Sequence, residues 1–191
     1  MVFEWTSLRN VPKEAIDNFD CGELEYNDFL KNNAEMWAAN GNAVTYVVVD
    51  SYELVCNKIK RIYGFAAVNA TGLLGKSDGK NKYLPCAEIR LFAVSKRLRG
   101  PEAVDVDGIR YSFKIFQTLM QELYRISTAV IGFSAVTLNA NSTGLKLYSK
   151  FGFIYTDDYF LPEEEDNLDI KGCTPLIFSL VEKDALYSIF M

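Results

Sequence analysis

The 191 residues suffice for one generous domain and would be cramped as two. With 49% hydrophobic and 14% aromatic residues, the chain is expected to form a packed globule rather than a disordered polymer. The formal charge of −5 offers no general attraction for nucleic-acid phosphates or an anionic membrane, and the absence of histidine removes Ser-His and Cys-His nucleophilic pairs along with the commonest metal ligand.

In chain order, residues 2–9 alternate enough for a first strand, and Pro12 to Phe19 reads as a short helix or turn. An amphipathic helix is predicted from about Glu23 to Ala39, with Leu24, Phe29, Leu30, Ala34, Trp37 and Ala38 on one side and Asn40-Gly41 as its stop. Residues 43–50 are β-branched and aromatic, hence a strand; residues 58–70 form a second, with Gly64 marking a bulge. Thr71 to Lys82, rich in Gly and Lys, reads as a surface loop, and residues 84–94 as the next strand. A long loop then carries the basic cluster Lys96, Arg97 and Arg99 and the acidic stretch Glu102 to Asp107. From Arg110 to Ser127, Phe113, Phe116, Met120 and Leu123 recur at helical spacing. Val130 to Leu138 is a strand, Asn141 to Phe151 a short helix, and residues 152–157 and 174–182 are two last strands around the acidic run at 163–166. This order predicts an α+β fold with a mixed central sheet flanked by helices.

Cys21, Cys56, Cys86 and Cys173 are scattered, without the close spacing of a zinc site or a redox dithiol, and no segment is long and apolar enough to span a bilayer. The expectation is a cytoplasmic protein with reduced thiols, no metal and no membrane association.

Two segments carry chemistry. In the first, a strand runs through a basic, glycine-containing loop into a helix, Leu91 to Phe116; unpaired N–H groups at a helix start and glycines at 100 and 108 suit a phosphate cradle, and an ordinary strand-to-helix connection with surface arginines is the alternative. In the second, Asn139-Ala140-Asn141 leads into a helix bearing Tyr148 and closes on Phe151-Gly152-Phe153. There the Tyr148 phenol can donate a proton to a leaving group if it faces a cleft, and a plain core or surface tyrosine is the alternative.

Together these residues resemble the GNAT acetyltransferase superfamily over nearly the whole chain. Arg97-Leu98-Arg99-Gly100 is similar to the start of the family's acetyl-CoA motif, and Asn141, Leu147, Tyr148 and Phe151-Gly152-Phe153 look like its asparagine, leucine-tyrosine and glycine-phenylalanine signature. Phe19-Asp20-Cys21-Gly22 with Asn27, Phe29 and Leu30 resembles the opening of the branch that includes tRNA-acetylating toxins. The resemblance implies a single acetyltransferase domain over 1–191 and a splayed strand pair, 84–94 and 130–138, holding pantetheine. It places Phe92 and Val94 on the pantetheine and Arg97, Arg99, Gly100, Gly108, Arg110, Tyr111 and Ser112 around the phosphates. Asn141 would bind near the cofactor arm, and Tyr148 would be the general acid. The motif's second glycine is displaced, since Glu102 stands two residues after Gly100; Gly108 resumes the cradle after an insertion whose acidic residues must point away from phosphate. Ala87-Glu88-Ile89 resembles the strand that carries a general base in histone acetyltransferases, so Glu88 is the candidate base, with a structural pairing to Arg90 as the alternative.

The implied activity is direct acetyl transfer from acetyl-CoA to a primary amine. The acceptor is left open among a small molecule, a protein amine and an aminoacyl-tRNA, and a homodimer is left open too. The alternative is a non-catalytic acyl-CoA-binding or protein-interaction module on a degenerate fold.

Overall fold

The β-branched run Val44–Asp50 forms β2, with Val47, Val48 and Val49 fully buried. It pairs antiparallel with β1 (Phe3–Ser7) on one side and with β3 (Gly64–Ser77) on the other, from Val48↔Gly64 to Val44↔Val68. The computed structural model describes residues 2–77, 80–156 and 172–181. The strand order is β1-β2-β3-β4-β5-β7-β6, where β4 is Lys80–Val94, β5 Ala135–Ala140, β6 Ile154–Tyr155 and β7 Thr174–Ser179. The chain divides into two compact units, Met1–Asn69 with Arg90–Leu123 and Ala70–Ile89 with Tyr124–Met191.

In the first unit, around the helices α1 (Lys13–Asp17), α2 (Leu24–Asp28) and α3 (Ala34–Ala39), three aromatics gather on Phe65: Phe19 after α1, Tyr26 of α2 and Phe29 directly after it. Phe65 is fully buried and meets Phe19 edge-on at 5.6 Å, Tyr26 at 6.4 Å and Phe29 stacked at 5.8 Å. The helix expected from Glu23 to Ala39 is present, but a π-helical turn at Phe29–Asn33 separates α2 from α3. Phe29, Leu30, Ala34 and Trp37 are buried while Leu24, expected on the same side, is 87% exposed, because a separation of five residues in an α-helix turns it about 140° away from Phe29. Helix α5 (Tyr111–Ala129) buries Ile115 against Val48 and Val94, sets Phe116 edge-on to Phe92 at 5.2 Å, and accepts the Trp5 indole N–H on Thr118 at 3.0 Å.

In the second unit β4 and β5 run parallel from Cys86↔Ala135 to Ile89↔Leu138, and β7 pairs antiparallel with both β5 and β6. Leu73, Leu84, Cys86, Ala135 and Ile177 form its core. Burial pushes the Cys86 thiol up to about 12.

Several sequence expectations need correction. The strand expected at 58–70 begins only at Gly64; Ile59 and Ile62 are buried, which is what the apolar pattern registered, but they lie in a connection. Upstream, Ser51–Val55 forms a short helix, α4, capped by the Asp50 carboxylate accepting from the Tyr52 amide at 3.0 Å. Gly64 marks no bulge but a close approach, since a Cβ there would stand 2.7 Å from the Ala93 carbonyl oxygen. The surface loop expected at 71–82 is mostly strand, with β3 running to Ser77 and β4 starting at Lys80. Its Gly72 is a packing glycine, because a Cβ would meet the Tyr83 ring at 2.1 Å, and Leu73 is fully buried. The strand expected from Val130 starts at Ala135; α5 continues to Ala129, and Val130 and Ile131 are exposed. The acidic run at 163–166 lies outside the described residues. Among those residues, no helix is long and apolar enough to cross a membrane.

Phe65→Ala is expected to cost about 3–5 kcal/mol in denaturant unfolding, because it removes a ring shared by three aromatic neighbours. A loss under about 1 kcal/mol would contradict this packing.

Candidate functional site

Within the first unit, the N-terminal segment and the basic loop are locked together. Lys96–Leu98 forms a short 3₁₀ turn after β4. Lys96 pairs with the Asp20 carboxylate, and its amide donates to the Asp20 carbonyl at 3.0 Å. Arg99 Nη1 donates to the Cys21 carbonyl at 2.5 Å and lies 3.8 Å from the Glu23 carboxylate. Asp20 also accepts from the Gly22 amide at 2.8 Å and from Asn27 Nδ2 at 3.1 Å, while Asn27 Oδ1 accepts from the Cys21 amide at 2.9 Å. The Lys96 hydrogen bond, with help from those at Gly22 and Asn27, lowers the Asp20 pKa to about 2. The two segments singled out separately in the sequence thus form one clasp. Arg97, Arg99 and Arg110 are all exposed, and Arg99 is the one that the clasp engages.

The insertion after Gly100 folds on itself. Asp105 Oδ1 accepts from the amides of Asp107 at 3.0 Å and Ile109 at 2.8 Å, an arrangement the Asp-Val-Asp-Gly sequence favours, and Gly108 takes φ +75°. Lys114, one turn into α5, pairs with the Asp105 carboxylate, which is how that charge is accommodated beside the helix start. Val104 and Arg110 form a β-bridge, and the Tyr111 amide donates to the Ala103 carbonyl at 3.0 Å. The amides of Arg110 and Ser112 have no acceptor among the described residues, and Gly100 takes φ +101° with open space where a Cβ would stand. Tyr111 sets its ring edge-on to Phe3 at 6.0 Å. Val94 turns its side chain into the core and Phe92 packs on Phe116, so both carry the strand backbone the cradle starts from.

In the second unit, Asn141 precedes α6 (Leu145–Phe151), and its Oδ1 accepts from the Gly144 amide at 2.8 Å. Tyr148 is buried, with its ring 6.0 Å from that of Phe153. Gly144 makes room for it: a Cβ there would lie 2.8 Å from Tyr148 Cε2 and 3.3 Å from Asn141 Oδ1. Gly152, at φ +110°, ends the helix, and the Phe153 amide turns back to the Tyr148 carbonyl at 3.0 Å. Phe151 and Phe153 then pack on Phe178 at 5.5 and 5.3 Å, which explains the glycine between two phenylalanines. Glu88 is buried on β4 opposite Thr137 of β5. Arg90, its alternative partner, lies in the first unit with its guanidinium 5.2 Å above the Trp37 ring.

Among solved structures, the chain is similar to AtaT complexed with acetyl-methionyl-tRNAfMet, with a TM-score of 0.65 at 17% identity over 97% of this chain and 99% of that one. AtaTR bound with AcCoA gives 0.67 at 16% identity over 97% and 98%, and a mutant of KacT gives 0.64 at 17% over the full length of both chains. The chain has the GNAT fold. No protein-family model matches it. Identities this low carry the architecture alone, so the residue roles rest on the geometry above.

Gly144 was not singled out from the sequence, and nothing local marks it, since its need arises from a ring one helical turn away. The Asp105–Lys114 pair was also missed, although the turn-forming Asp-Val-Asp-Gly run was the available signal.

Asp20 contributes stability that is complete above its ordinary pKa of 3.8 and lost as pH falls toward 2, because its folded-state pKa is depressed. Thermal melts between pH 4 and 2 should therefore fall more steeply for the wild type than for Asp20→Asn. Parallel curves would show that the carboxylate is not held by the clasp.

Proposed function

We propose that this chain is an acetyl-CoA-dependent N-acetyltransferase, a single functional domain that transfers acetyl directly to a primary amine. The observation that carries this reading is the constellation around Tyr148: a buried phenol on a short helix, seated against a glycine that Asn141 fixes, at the position where the family signature carries its acid. Similar solved chains include one titled as bound with AcCoA and one as complexed with acetyl-methionyl-tRNAfMet, which supports acetyl-CoA as donor and makes aminoacyl-tRNA the first acceptor to test.

The residues fit the cofactor. The free amides of Arg110 and Ser112 and the exposed guanidiniums of Arg97 and Arg110 suit a pyrophosphate, and Gly100 and Gly108 let the backbone come close. Arg99 supports the loop by holding it to Cys21. Phe92 and Val94 would offer backbone groups to the pantetheine, and Asn141 would stand near its arm. Bound acetyl-CoA supplies an activated thioester, so the protein has to orient the amine and manage two protons. Glu88 would take the ammonium proton directly or through water; the amine nitrogen then bonds to the acetyl carbon as the carbon–sulfur bond breaks, Tyr148 Oη gives its proton to the departing sulfur, and the second proton, lost from the nitrogen as the amide forms, returns through water to the Tyr148 oxygen.

The non-catalytic reading has one observation in its favour: the insertion ties the Tyr111 amide to Ala103, leaving the helix start one donor fewer. Incubation with labelled acetyl-CoA and, in parallel, aminoacyl-tRNA, protein and small amines separates the two readings. Label in one fraction is expected, and no transfer to any of them would favour the binding module.

Two variants test the roles within the active reading. Tyr148→Phe should lower turnover about 100-fold with acetyl-CoA affinity nearly unchanged. Gly144→Ala should displace the phenol and lower turnover to a similar degree. Wild-type turnover in Tyr148→Phe would remove Tyr148 from the mechanism.

A further inference from the structure

One rung of the β4–β5 ladder in the second unit is polar. Glu88 on β4 stands directly across from Thr137 on β5, so both side chains leave the sheet on the same face. Both residues are buried, Glu88 at 8% exposure and Thr137 at 4%. The last rung of the ladder, Ile89↔Leu138, comes one residue later. On its other side Thr137 pairs with Ile177 of β7, and Ala135, two residues back on the same face, belongs with Ile177, Leu84 and Cys86 to the apolar core.

The Thr137 hydroxyl has no hydrogen-bond partner among the described residues. A buried hydroxyl left unpaired is costly, and in a native fold it calls for a reason. Strand propensity supplies none, because valine forms strands as well, fills the same space beside Ile177 and has no hydroxyl to satisfy. Thr45 of the first unit has a hydroxyl in the same state, but its partner across β3 is Ala67. Thr137 differs in standing across from a carboxylate. Neighbouring strands lie about 4.8 Å apart. A glutamate side chain turning about its own bonds spans that gap, which puts its carboxylate in reach of the hydroxyl.

We propose that Thr137 is a positioning residue for Glu88: its Oγ1–H donates to one oxygen of the Glu88 carboxylate and leaves the other oxygen to take the proton of the acceptor amine. A hydrogen bond to an ionised group is stronger than one between neutral groups, so the hydroxyl favours the orientation in which the base is charged and aimed. The role rests on the acetyltransferase reading with Glu88 as base. The contact itself is read without any turnover, so the two fail separately.

The test compares Thr137→Val, which keeps the shape and removes the hydroxyl, with Thr137→Ser, which keeps the hydroxyl and removes the methyl. In the full chain labelled with carbon-13 at the glutamate carboxyls, the Glu88 resonance is the one that Glu88→Gln removes. At neutral pH it should move by more than its linewidth in Thr137→Val and stay in place in Thr137→Ser. With a working acceptor, Thr137→Val should lower turnover about tenfold with KM nearly unchanged, and Thr137→Ser should keep at least half of the wild-type turnover. The valine variant should melt no lower than the wild type, because it loses a hydroxyl that the fold leaves unpaired. If the resonance moves as stated and the wild type acetylates no acceptor, the contact stands and the acetyltransferase reading alone fails. A Glu88 resonance unmoved by Thr137→Val, wild-type turnover in that variant, a serine variant that behaves like the valine one, or a clear fall in the valine variant's melt overturns the proposal.

Discussion

The contact on which the first unit's chemistry depends is the ion pair between Asp20 and Lys96. It joins an N-terminal turn to the loop that leaves β4, and it acts with several directed hydrogen bonds rather than alone. Exposed ion pairs contribute little by themselves. Here the carboxylate also accepts from an amide and a carboxamide, while the Lys96 amide and the Arg99 guanidinium donate from the loop to the Asp20 and Cys21 carbonyls. The result is a loop held at two points, with Arg97 between them free to face solvent.

That arrangement gives the acidic insertion a physical reading. An insertion within an anion-binding loop would be harmful if its carboxylates faced the ligand. Asp105 instead spends one oxygen on its own turn and the other on Lys114. The cost is the Tyr111 amide, which the bridge draws back to Ala103. In the second unit the same economy of space appears around Tyr148: two glycines, one beneath the ring and one ending the helix, let aromatic side chains pack where any Cβ would intrude or strain the backbone.

Much of the fold was legible. The β-branched run at 43–50, the helical spacing of Phe116, Met120 and Leu123, and the Asn40-Gly41 stop all correspond to observed elements, because each is decided by local propensity or by one face meeting a core. The misreadings share a cause. Gly64 and Gly72 were taken as a bulge and a loop signal, but they are glycine because a carbonyl and a ring approach from elsewhere in the sheet. Leu24 fell on the wrong face because it stands five and six residues before Phe29 and Leu30, spacings that the helical period of 3.6 puts on different sides. Of the candidate site, the segments were readable from their motifs. What tied Asp20 to Lys96, or Gly144 to Tyr148, was not, since such pairings exist only once the chain has folded.

The measurement that tests the central claim most directly is calorimetric titration of the full-length protein with acetyl-CoA. Saturable one-to-one binding that Arg97→Ala with Arg110→Ala weakens severalfold is predicted. No heat of binding at high cofactor concentration, with the protein folded by circular dichroism, would contradict the account and leave the GNAT fold here without its donor.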